Sequence, residues 1–220
     1  MNKSSRVIHT ALGSVQNGRL RILHREFYSR ETVQVARGLL GKHLVRVRGN
    51  TLMTGKIVEV EAYRGSDDPA SHAFRGRTTR NAPMFGEPGH AYIYFTYGNH
   101  YCLNVTTQES GIPGAVLIRA IEPVEGLPAM KRLRPNVPEF ALTNGPGKLT
   151  KALAIDKTLS EVDMTKAGPL FIMDTEEEPF KIARSTRVGI RAATERLWRF
   201  YISGNQYVSK SQRPQRTRRH

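Results

Sequence analysis

The sequence predicts a single mixed α+β domain, and three observations carry that prediction. The chain has 220 residues, 39% of them hydrophobic, enough to bury one continuous core. Runs rich in β-branched residues at period two come in pairs separated by tight-turn residues, the pattern of antiparallel hairpins. Short stretches with apolar residues at helical spacing supply the α component.

Residues 1–20 are polar, with isolated apolar positions and two glycines, and are expected to form a flexible arm before a folded domain at 21–208. Residues 33–40 read as a short helix, with Ser29 and Thr32 as candidate caps and Gly41 as its stop. Residues 44–47 and 55–63 read as strands joined through Arg48-Gly49-Asn50, with Ile57, Glu59 and Glu61 on one face of the second. Between 64 and 90 stand Gly65, Pro69, Gly76, Pro83, Gly86, Pro88 and Gly89, too many breakers for regular structure. A loop of that length in a compact domain is usually functional. Residues 91–97 and 101–107 form a second hairpin turning at Gly98-Asn99, and 115–121 a further buried strand. Residues 127–133 and 148–155 read as helices, and 188–190 and 198–202 as the strands that close the sheet. The stretch 209–220 is basic, contains Pro214 and is expected to be a disordered tail.

Charge narrows the class of partner. Lysine and arginine number 34 against 19 acidic residues, a net charge of +15 with a pI near 10.4, and such a field attracts polyanions. The basic residues are spread along the whole chain and no long basic amphipathic helix stands out, which argues against a membrane-surface binder. No segment approaches the roughly 20 apolar residues that span a bilayer, and the start has no apolar leader, so a soluble protein is expected. Cys102 is the only cysteine, which excludes an internal disulfide and a multi-cysteine metal site and suits a reducing compartment. An intracellular place is therefore expected: bacterial cytoplasm and nucleoid, or the nucleus if the source is eukaryotic. His90, His100 and Cys102 are scattered over one strand pair with no second cluster, a poor metal site, so no metal is expected.

Tyr92, Tyr94, Tyr97 and Tyr101 fall within ten residues of one another. Aromatic faces stack on bases while basic groups neutralise phosphate, and a ring on a tight turn can enter a duplex where a nucleotide has left. Upstream lies Glu59-Val-Glu61-Ala-Tyr63, with Asp67, Asp68 and His72 beyond it. Carboxylate, stacking ring and basic surface together suggest chemistry on an extruded base. Gly145-Pro-Gly-Lys148 opens a helix whose free amides and lysine favour a phosphate. It is not a Walker loop, because the earlier glycine and the hydroxyl residue after the lysine are missing.

These residues occur in a wider order. Gly55-x-Ile-Val-Glu-x-Glu-Ala-Tyr63 is followed by Asp67, His72, Arg80-Asn81, Met84-Phe85, Tyr92-x-Tyr94-x-x-Tyr97-Gly98 and Asn104, then by Arg119-Ala-x-Glu-Pro123, Gly145-Pro-x-Lys-Leu149, Arg187-Val-Gly189 and Arg199-Phe-Tyr201. In that order the chain resembles the alkyladenine (3-methyladenine) DNA glycosylases over nearly all its length except both ends. The resemblance implies one α+β domain on a curved antiparallel sheet flanked by helices, without a helix-hairpin-helix.

It also implies roles. Glu61 would activate the water that meets a developing oxocarbenium ion, with Glu59 as the fallback, although a salt-bridged neighbour is the simpler reading of Glu59. Arg119 would hold water and carboxylate, and the backbone carbonyl of Ile202 would be a third contact to that water. Tyr63, His72 and Tyr94 would wall the base pocket, where electron-poor alkylated purines stack well, and Asn104 would disfavour the amino group of undamaged guanine. Tyr97 would be the intercalating wedge, while Asn99 departs from the apolar residue expected two positions later. Lys148, Gly147 and Arg80 would meet the DNA backbone. The implied activity is that of a monofunctional glycosylase with no cofactor, acting as a monomer on double-stranded DNA containing damaged purines. The competing classes are a noncatalytic binder of damaged nucleic acid, which gains nothing from Glu61, and a basic RNA-binding or ribosomal protein, which leaves the ordered pocket residues unexplained.

Overall fold

Residues 21–96, 98–175 and 178–210 are described by a computed structural model. In chain order the strands are β1 (Arg21–Ile22), β2 (His43–Arg48), β3 (Thr51–Tyr63), β4 (Ala91–Thr96), β5 (His100–Thr106), β6 (Ala115–Glu125), β7 (Leu170–Asp174), β8 (Ile182–Ser185) and β9 (Arg199–Ile202). The helices are α1 (Arg25–Tyr28), α2 (Thr32–Leu39), α3 (Leu127–Leu133) and α4 (Pro146–Ala152). Every strand pairing is antiparallel, in the order β1-β7-β2-β3-β6-β5-β4. The sheet curls into a half-barrel, as the resemblance implied.

The 13-residue β3 organises this sheet. Its first half pairs with β2 across a two-residue turn at Gly49-Asn50, and Glu59–Glu61 in its second half pair with β9, which in turn carries β8. Along its other edge, from Thr54 to Tyr63, runs β6. Register shifts flank Glu59, and the extra residue of a bulge re-aims the side chains around it. In consequence Ile57 joins Val58, Val60 and Ala62 in the hydrophobic core, and does not share the environment of Glu59 and Glu61 as strict alternation predicts.

The helices cover the core side. Val35, Ala36 and Leu39 of α2 pack against β3 and β6, and Leu149 and Ala152 of α4 against β5 and β6. Gly147 permits the close approach of α4, since a Cβ there would collide with the His100 ring. Gly126, at φ 79°, opens α3 where a side chain would strike the backbone of Leu52. No helix among the described residues is long and apolar enough to cross a membrane.

Helix α3 coincides with its expected bounds, whereas α4 starts earlier and ends earlier than 148–155, closing before Ala154 at φ 48°. Residues 188–190 are not a strand but part of a loop. Ser209, placed at the head of a disordered tail, is instead buried and tied to Glu59. The arm 1–20 and residues 211–220 lie outside the described residues.

Candidate active site

Alternation along the strands separates two faces. Ile93, Leu103, Val105, Val116, Ile118 and Ala120 enter the core. Between them Tyr92, Tyr94, Cys102, Asn104, Leu117 and Arg119 reach the other face and line a cleft of about 390 Å³, within the range of roughly 300–1,000 Å³ usual for small-ligand sites. Other walls come from Tyr63 at the end of β3, from Pro69, Ala70 and His72 of the long loop, and from Val188 to Ala192 of the loop before β9.

Glu61 is wholly buried behind three of these wall residues, and each of them bonds its carboxylate. The Tyr63 hydroxyl donates to Oε2 at 2.7 Å, the Val188 amide donates to Oε1 at 2.7 Å, and Arg119 Nη1 lies 3.3 Å from Oε2. Burial first, and then the Glu61 carboxylate, push the Tyr63 phenol well above its ordinary value, which keeps it a donor. Burial works against the charge of Arg119, but Glu61 and Glu59 beside it more than offset that and hold the guanidinium protonated.

Glu59 is equally buried and sits in an ion cluster. It accepts from Arg119 Nε at 2.8 Å, Arg199 Nε at 2.7 Å, the Ser209 amide at 2.6 Å and the Ser209 hydroxyl at 2.8 Å. Burial raises the cost of its charge, yet the two guanidinium groups outweigh that and hold the carboxyl below its ordinary value. The salt-bridged reading of Glu59 is thus the one its surroundings match.

A second buried pair pins the two loops that wall the cleft. Arg187 reaches both oxygens of Asp68, at 2.6 and 2.7 Å, and also donates to the Ala62 carbonyl at 2.9 Å. Its guanidinium stacks 4.7 Å from the Tyr63 ring centre. Arg187 therefore sets both the neighbouring Val188 amide against Glu61 and the plane of Tyr63.

His72 and Tyr94 meet edge to face at 4.7 Å, and His72 Nδ1 shares a hydrogen bond of 2.9 Å with the Tyr92 hydroxyl. Burial, then the positive charge of Arg80, lower the His72 value, so the ring is neutral at pH 7. Burial pushes the Tyr92 phenol up to about 12 and the Cys102 thiol up to about 11. Asn104 is buried and donates to the Tyr92 carbonyl at 3.0 Å. Arg80 lies over the outer side of Tyr94, 5.3 Å from its centre. Lys148 and Gly147 border a neighbouring surface groove with Arg134 and Lys151, and burial and Arg134 hold the Lys148 ammonium below its ordinary value.

The fold thus brings together Glu61, Arg119, Tyr63, His72, Tyr94 and Asn104. The Ile202 side chain packs in the core, and its carbonyl, the group expected to meet the water, accepts from the Asn205 amide at 3.3 Å. The main-chain group at Glu61 is that of Val188. Tyr97 lies outside the described residues, between Thr96 and Gly98, the latter at φ 69°. Sequence reasoning missed Val188, the Asp68–Arg187 pair, Arg199 and Ser209. Asp68 and Arg187-Val-Gly189 were visible as residues, but 119 positions separate the partners and nothing local couples them.

The sequence profile of the methylpurine-DNA glycosylase family matches residues 26–206. A protein of Carboxydothermus hydrogenoformans named "Putative 3-methyladenine DNA glycosylase" is 50% identical over 192 residues, covering 86% of this chain and 99% of the relative. Relatives bearing the same name in Clostridium acetobutylicum and Methanocella arvoryzae are 47% and 46% identical, covering 85% and 86% of this chain and 97% and 96% of their own.

Proposed function

Because the chain belongs to the methylpurine-DNA glycosylase family, we propose that it removes alkylated or deaminated purines from double-stranded DNA as a monofunctional hydrolase, with Glu61 activating the water. The observation that carries this reading is the wholly buried Glu61 carboxylate, held by three wall residues of an aromatic cleft on a strongly basic protein.

The proposed reaction needs the target nucleotide outside the stack, because a base paired inside a duplex cannot enter an enclosed site. The base then rests among Tyr63, His72 and Tyr94. A neutral His72 does not repel a cationic purine, and its second ring nitrogen serves the base edge. Two of the three contacts to Glu61 fall on Oε2 and one on Oε1. A carboxylate has about four acceptor positions, which leaves Oε1 able to take one more donor, the attacking water. As the glycosidic bond lengthens, positive charge gathers on the sugar. The Glu61 carboxylate opposes that charge and takes the proton of the incoming water, while the base leaves with the bonding electron pair.

No lysine lines the cleft among the described residues, in keeping with attack by water and not by an amine. Tyr97 serves as the wedge, and Arg80, Gly147 and Lys148 meet the backbone. The chain acts as a monomer inside the cell and uses no cofactor.

The test is a set of duplex oligonucleotides carrying 3-methyladenine, 7-methylguanine, hypoxanthine or ethenoadenine, incubated with excess protein and then with alkali to cut at abasic sites. Strand cleavage at one or more lesions only after alkali is the expected result. Cleavage without alkali would replace the monofunctional mechanism, and intact strands throughout would overturn the glycosylase reading.

A further inference from the structure

We propose that Ser209, at the C-terminal end of the described fold, is a positioning residue for excision, acting on Glu61 through Arg119; this rests on the reading of Glu61 and Arg119 given above. Arg119 presents its three nitrogens to three partners: Nε to Glu59 at 2.8 Å, Nη1 to Glu61 at 3.3 Å and Nη2 to the Ser209 hydroxyl at 3.4 Å. A guanidinium is planar and rigid, so fixing two of its corners fixes where the third points. Glu59 and Ser209 hold the two corners that face away from Glu61.

Ser209 is also what completes Glu59. Its amide is the donor to Oε2, its hydroxyl one of three donors to Oε1, and its carbonyl accepts from Arg199 Nη2 at 3.0 Å. One residue thus touches Glu59, Arg119 and Arg199, all of which are buried, and it does so from a segment that follows the last strand. Glu59 takes four donors, and of the groups that hold it only Arg119 lines the cleft. Its place in the reaction is to carry the charge that balances and orients Arg119. A hydroxyl removed at position 209 frees one corner of the guanidinium, and misplacement on the order of 1 Å near a reacting centre can cost about 10²-fold in rate.

The experiment is single-turnover excision with the full chain in excess over a hypoxanthine duplex, comparing wild type, Ser209→Ala, Arg119→Ala and the double variant, alongside binding to an abasic-site duplex. Single-turnover rates at saturating protein do not depend on the fraction folded. Ser209→Ala is expected to lower the rate roughly 10- to 100-fold, with abasic-site binding within about twofold of wild type. In the Arg119→Ala background the same change is expected to have almost no further effect, because the route it acts through is gone. An unchanged rate in Ser209→Ala, an equal loss in both backgrounds, or a loss confined to binding would each overturn the inference. Should Ser209→Ala fail to fold, Ser209→Cys, near in volume and poor as a donor, is read in the same way. Wild type inactive on every lesion would sink the underlying glycosylase reading, and this inference with it.

Discussion

Two glutamates on one strand, both fully out of solvent, differ in the donors they face. Glu59 meets four donors, two of them guanidinium groups, and none of its contacts lines the cleft except Arg119. Glu61 meets three groups, all on the cleft wall. Replacing Glu61 by Gln keeps the shape and removes the base, so excision should fall roughly 10² to 10⁴-fold while an abasic-site duplex binds as before. Single-turnover excision and a gel-shift titration measure the two effects, and a wild-type rate would move attention to Glu59. His72 gives a pH signature. Its folded value lies below the ordinary 6.5, so the ring stays neutral through neutral pH and takes its proton only on the acid side of that value. Once protonated it repels a cationic base. Excision of 7-methylguanine should therefore decline in acid more steeply than excision of neutral hypoxanthine, and His72→Gln should bring the two pH profiles together.

The loop carrying Asp68 and the loop carrying Val188 are held to each other by the buried Asp68–Arg187 pair. Asp68→Ala would leave an uncompensated guanidinium inside the protein, which should destabilise the fold by about 3–5 kcal/mol, read as a lower urea midpoint. Excision should fall as well, since Val188 and Tyr63 lose their common support. At the hairpin tip the test concerns extrusion. Tyr97→Ala should slow removal of hypoxanthine paired with cytosine more than hypoxanthine opposite thymine, because a well-paired lesion resists flipping. Equal losses in the two contexts would remove Tyr97 from the wedge role. The elements themselves were unevenly legible. Both hairpins and α3 are local patterns, and the chain shows them. Strand β7 (Leu-Phe-Ile-Met-Asp) is a short apolar run with no alternation to read, and β8 is half-exposed with no marked apolar face. The apolar alternation of Val188-Gly-Ile190 looks like a strand, yet the Val188 amide is spent on Glu61 and not on a neighbouring strand. The walls of the cleft were legible as motif residues. The ion cluster behind it was not, because Glu59, Arg119, Arg199 and Ser209 meet only through tertiary pairing.

Across the described residues, the buried carboxylates Glu59, Glu61 and Asp68 face the buried guanidinium groups of Arg119, Arg187 and Arg199, so these charges largely cancel and add little to the chain's net +15. Affinity for undamaged duplex should fall with salt by about 0.9 log units per log unit of salt for each phosphate contact. A fluorescence titration at several salt concentrations gives the slope, and a slope near zero would count against duplex DNA as the partner. The single thiol of the chain has a further consequence. Electrophiles that methylate DNA also methylate exposed thiolates, so a protein serving cells under such attack is itself at risk. Cys102 lies at the cleft with 5% of its surface open, and burial pushes its thiol up to about 11. A thiol kept protonated is a weak nucleophile. The same burial that places Cys102 at the cleft therefore keeps its thiol a poor target for such electrophiles.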